Sequence, residues 1–128
     1  MPSTDNIHDV VGESNIAKVL AILSATPESV TERDVNDCTP LHLTVSGASG
    51  KHEIAKALLN HGADVNASDS LGFNALHKAA EWGDTKLANI LLAYGGSVDA
   101  EDKRGRTALQ HAVFWRQAAY AELLINSN

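Results

Sequence analysis

Six histidines and one cysteine are the residues of this chain that could ligate a metal or attack a substrate. Cys38 with His42 four residues on has the composition of a thiol nucleophile and its base, since the reactive form is the thiolate and a proton acceptor must lie within reach. Nothing near the pair supplies an oxyanion hole, an orienting third group or an enclosed pocket, so catalysis is not expected. His8, His42 and His77 occupy the same register in successive units. Helices stacked side by side lie ~8–10 Å apart, whereas zinc ligands converge at ~2.1 Å from one ion, so these three are poorly placed for a metal. The competing reading is structural, with each ring hydrogen-bonding loop backbone and bracing its neighbour. His52 and His61 read as solvated helix residues. No glycine-rich phosphate loop, paired-cysteine ligand motif or nucleophile elbow occurs, and Gly95-Gly96 is a helix ending followed by a loop.

The elements that carry these residues repeat. Thr39-Pro40-Leu41-His42 aligns with Asn74-Ala75-Leu76-His77 and Thr107-Ala108-Leu109-Gln110 at offsets of 35 and 33 residues, a period that means stacked supersecondary units. Thr39 is a good N-cap, and Pro40 suits the first helical position, where its missing N–H costs nothing. Leu76, Ala79 and Ala80 share one helix face at spacings of three and four, and Leu87, Leu91 and Leu92 share another. Gly62 and Gly95 stand where the second helix of a unit ends in a left-handed residue. Asp64 to Asp69 and Ser97 to Asp102 are polar turn-forming stretches, each with a lone valine that can pack inward, and they read as hairpin loops.

Thr39-Pro40-Leu41-His42, then Glu53-Ile54, then His61-Gly62-Ala63-Asp64-Val65-Asn66-Ala67 resemble the signature of the ankyrin repeat family. The resemblance implies an all-α repeat: an ankyrin solenoid of stacked helix-turn-helix units with β-hairpin loops. It divides a single domain over 1–128 into an N-terminal capping unit at 1–33, repeats at 34–68 and 69–101, and a C-terminal capping repeat at 102–128. Three features depart from the family's pattern. Asp37 replaces the usual turn glycine, Ala48 and Ser49 form an insertion, and Arg116 stands where glycine normally turns between helices.

Composition narrows the function classes. A net charge of −6 disfavours nucleic acid and anionic membrane, because that affinity rests on cations neutralising phosphates. No apolar stretch approaches the ~20 residues that span a bilayer. The lone Cys38 cannot form an internal disulfide, and Met1 to Val11 lacks a signal-peptide pattern, so a cytoplasmic or nuclear location is expected. No cofactor, metal or small-molecule ligand is expected either.

Proteins of the family generally bind partners through hairpin tips and the exposed end of each first helix. Carried onto this chain, those positions are Val35, Asn36, Cys38 and Ser46 in one repeat, then Ser70, Leu71, Phe73, Glu81 and Trp82 in the next. In the last they are Lys103, Arg104, Arg106, Phe114 and Trp115. The chain has only six aromatic residues, and four of them fall here, far more than chance would place. Exposed rings beside arginine have the composition of a binding hot spot. The expected function is therefore a non-catalytic protein-interaction module, a monomer when free, whose Lys103, Arg104 and Arg106 steer a partner bearing carboxylates or phosphates. The alternative is an obligate subunit or self-associating structural unit that docks through its C-terminal helices.

Overall fold

The computed structural model describes residues 6–45 and 51–127. Helices pair off along the chain: α1 (Ile7–Gly12) with α2 (Ile16–Ala25), then a 3₁₀ helix at Pro40–Thr44 with α3 (Lys51–Asn60). They continue as α4 (Ala75–Trp82) with α5 (Thr85–Ala93), and α6 (Ala108–Phe114) with α7 (Ala118–Asn126). A further 3₁₀ helix at Pro27–Thr31 follows α2. First helices stack in one row and second helices in another. The first helix of the unit that starts at Thr39 is thus a 3₁₀ turn rather than an α-helix; the Ala48 and Ser49 insertion, like Ser46, lies outside the described residues.

Capping sets where the first helices begin. Asn74 Oδ1 accepts from the His77 amide at 2.9 Å, while the Asn74 amide donates to His77 Nδ1 at 3.0 Å. This reciprocal box satisfies two donors that a helix start leaves open. Thr39 and His42 share the second of those bonds at 3.0 Å, and Thr107 and Gln110 reproduce it at 2.8 Å with glutamine in place of the ring.

The core lies between the rows. Ile54, Leu87 and Tyr120 take the same place in successive second helices, one turn before Leu58, Leu91 and Leu124, and all six are buried. Each such aliphatic side chain contributes about 1.5–3 kcal/mol on leaving water. Tyr120 is admitted because its hydroxyl donates to the Leu76 carbonyl at 2.8 Å, and burial raises its pKa. Ala79, Ala80 and Ala112 are fully buried on the first helices, where small side chains let neighbours approach closely.

The loops are hairpin turns, with no strand among the described residues. Asp34, Asp69 and Asp102 open the three turns identically. Asp69 Oδ1 accepts from the Leu71 amide at 2.9 Å and the Phe73 amide at 3.0 Å, and the Asp69 amide donates back to the Phe73 carbonyl at 3.0 Å. Asp34 and Asp102 hold Asn36 with Cys38 and Arg104 with Arg106 in the same way. One bond then ties each turn to the next, from the Ser70 amide to Asn36 O and from the Lys103 amide to Leu71 O, both at 3.1 Å. That close approach demands glycine at position 72: its φ is +82°, and a Cβ there would stand 2.7 Å from Lys103 N.

Two departures noted above adopt the glycine conformation regardless. Asp37 has φ 63° and Arg116 has φ 59°, the latter matching Gly83 at 65° one unit earlier. His52 is a correction to the sequence reading. It is half-buried, not solvated, and its Nε2 meets Asp84 Oδ2 at 2.8 Å, bridging α3 to the start of α5.

Candidate functional site

Phe73 is the best-fixed of the candidate residues. Its amide and carbonyl are locked by Asp69, and the carbonyl also accepts from His42 Nε2 at 2.9 Å. Its backbone is therefore fixed, and its ring stands edge-on to His111, with centroids 5.1 Å apart. His77 lies 6.0 Å from the same ring and 5.1 Å from His111, so three rings from two adjacent units form one floor. Phe73 is half-buried in this arrangement, which corrects the expectation of a fully outward ring.

The other three rings stand up around that floor. Trp82 ends α4 and is 53% exposed; Phe114 ends α6 at 70%, and Trp115 caps the same helix at 45%. Phe114 and Trp115 pack edge to face at 5.1 Å and 87°. Between them and Trp82 runs an open groove of about 510 Å³, lined also by Val45, Lys78, Glu81 and Gln110. A second hollow of about 260 Å³ lies on the hairpin side against Leu71, Asp102, Lys103 and Arg104. Phe73 and Arg106 line both, so the two adjoin.

The charges are arranged unevenly. Lys78 Nζ is 3.7 Å from Asp69 Oδ2, and His111 Nε2 is 2.8 Å from Asp102 Oδ2. Burial works against the charge on Asp102. The Arg106 amide, the His111 ring and the Arg104 amide outweigh it, and the pKa falls to about 2. Lys103, Arg104 and Arg106 are exposed, and among the described residues no carboxylate pairs with them.

Nine of the ten residues singled out in the last two units border these hollows; Ser70 is the exception. It is exposed, and its amide is spent on Asn36 O. Val35 and Asn36 are exposed at the first hairpin and line neither hollow. Cys38 is a correction. It is buried at 5% exposure, with Sγ 3.9 Å from Asp69 Oδ2. Burial pushes its thiol pKa up, with Asp34 and Asp69 adding to the rise and Lys78 opposing it, which disfavours the thiolate. His42 does not serve it as a base: Nδ1 is taken by Thr39 and Nε2 by Phe73 O. Among the described residues, no group of three His, Cys, Asp or Glu side chains is arranged to hold a metal ion.

His77, Lys78, Gln110 and His111 also line the groove and were not among the expected positions. A signal existed for two of them. His111 stands three and four residues before Phe114 and Trp115, and Lys78 four before Trp82, which sets each on the same helix face as the rings.

Comparison with known proteins adds three findings. The family model described as Ankyrin repeats (3 copies) matches residues 7–102 and 69–128. An Ankyrin repeat domain-containing protein 13C from Danio rerio is 30% identical over 78 residues, which is 61% of this chain and 15% of that protein. A probable serine/threonine-protein kinase from Dictyostelium discoideum is 33% identical over 78 residues, 59% of this chain and 8% of the kinase. The chain thus matches only a small part of either relative.

Proposed function

Because the chain belongs to the ankyrin repeat family, whose members are generally protein-interaction modules and typically non-catalytic, we propose that it binds a partner protein in the groove between Trp82 and the Phe114–Trp115 pair. The observation that carries this reading is the exposure of three large rings, from two adjacent units, around one continuous hollow. Rings bury large area with few rotatable bonds, so a partner side chain seated among them gains much at small entropic cost. The rigid backbone beneath, fixed by Asp69, Asp102 and the histidines, means that little ordering accompanies binding. In this reading the chain acts without chemistry, as an adaptor, inhibitor or scaffold. It is a monomer when free, and its lone reduced cysteine suits the cytosol or nucleus.

The test compares the native chain with the W82A/W115A double variant as bait for partners. Loss of capture with an unchanged helical circular-dichroism spectrum supports the groove, and equal capture by both sinks it. A second reading is self-association through α6 and α7, favoured by the exposure of Ile125 on α7 and of Val113, which lines a hollow with Ala112, Gln117 and Ala118. Sedimentation velocity over a wide concentration range separates the two, since a single monomeric species removes the second.

A further inference from the structure

We infer, resting on the groove reading above, that the segment bound there is acidic as well as apolar: a stretch of polypeptide that sets one large apolar side chain between Trp82 and Phe114 and a nearby carboxylate against Arg104 and Arg106. The two hollows adjoin at Phe73 and Arg106, which line both, so an occupant anchored among the rings has the cations within reach of its neighbouring residues.

Those cations are uncommitted. Lys18, Arg33, Lys56 and Lys78 each lie within 4.0 Å of a carboxylate, whereas Lys103, Arg104 and Arg106 pair with none among the described residues. Three adjacent unpaired cations on a chain of net charge −6 repel one another, and that repulsion is relieved when a carboxylate enters. The guanidinium fork matches a carboxylate in two parallel bonds.

The walls also give the segment a direction. On the Trp82 side Glu81 repels an acid and Lys78 is already paired with Asp69, while the hairpin side carries the unpaired arginines, so the apolar anchor sits over the helices and the acid over the turn. Asp102 borders the arginine hollow with Oδ1 and Oδ2 engaged by two amides and His111. Its negative charge opposes any anion there, so an entering carboxylate is held by the surplus of the three cations over Asp102.

The experiment selects peptides from a random dodecamer phage library on the intact chain, then measures synthetic winners by fluorescence anisotropy against R104A/R106A and W82A/W115A. The braces at Arg106 use only its amide and carbonyl, so R106A leaves them in place. The expected result is enrichment of an aromatic or leucine beside acidic residues, with affinity falling about tenfold in the arginine variant and lost in the tryptophan variant. Winners that need the tryptophans but carry no acidic bias, or that bind the arginine variant equally, overturn the acidic inference and leave the groove standing. Winners indifferent to both variants, or none at all, overturn the groove and the inference together. Tighter binding of a fluorescein-labelled oligothymidylate than of any peptide overturns both in favour of a nucleic-acid stacking surface.

Discussion

His77 Nε2 donates a 2.9 Å hydrogen bond to the backbone carbonyl of Arg106, tying the first helix of one unit to the hairpin of the next. The other ring nitrogen accepts from the Asn74 amide, so a single neutral tautomer performs both tasks: Nδ1 bare, Nε2 protonated. His42 does the same between Thr39 and Phe73, and His8 Nε2 reaches Cys38 O at 2.9 Å. The carbonyls that receive these bonds belong to residues whose amides are held by Asp34, Asp69 and Asp102. A helix start, a turn and a neighbouring unit are thereby fixed together, and the site residues Phe73 and Arg106 are the points of attachment.

Replacing His77 by Gln keeps the capping box, as Gln110 does in the last unit, but removes the reach to Arg106. The Arg106 carbonyl still accepts from the Asp102 amide, so nothing is orphaned. The expected loss is about 1 kcal/mol, read as a lower urea midpoint with unchanged slope.

Acid weakens the stack in two separate windows. Burial lowers the His42 and His77 pKa values from 6.5, against the opposing pull of their carbonyl partners, so the unfolded chain takes up those protons first. Their stabilising contribution is complete above pH 6.5 and declines as the pH falls below it. Asp102 acts later, its contribution present above its ordinary value of 3.8 and lost as the pH drops toward about 2. Urea midpoints measured from pH 7.5 to 5 should fall in the native chain and fall less in H42Q/H77Q.

Asp69→Ala strips the acceptor from two amides at once and is expected to cost about 1–3 kcal/mol, while Asp69→Asn keeps Oδ1 and costs less. Hydrogen exchange at the Leu71 and Phe73 amides reports the change locally. Faster exchange in D69A than in D69N is the expected order.

Gly72→Ala and Arg116→Gly should move stability in opposite directions. The first places a Cβ 2.7 Å from Lys103 N at φ +82°, and the second relieves a side chain held at φ 59°. Each change is about 1–2 kcal/mol in size, checked by thermal unfolding.

Much of the framework was legible because it is periodic. Thr39, Asn74 and Thr107 begin first helices, Gly62 and Gly95 carry positive φ after second helices, and the family resemblance placed Asp37 and Arg116 in glycine-like turns. The bracing role of His8, His42 and His77 followed from the same register. What escaped depends on distances between units. One exception is local: Asp34, Asp69 and Asp102 marked repeat boundaries in the sequence, but the bonds each carboxylate makes to amides two and four residues on were not read from it. The His52–Asp84 bridge spans 32 positions, and the buried Cys38 meets Asp69 of the next hairpin, 31 positions on. His111 entered the site through a turn of helix rather than through any motif.

The most direct test of the account places a photoreactive benzoylphenylalanine at Phe114, inside the groove, and separately at Asn89, which is exposed on α5 and borders neither hollow. Cross-linking of a discrete partner from position 114 and not from 89 is the predicted result. Efficient cross-linking from 89 with none from 114 would contradict it.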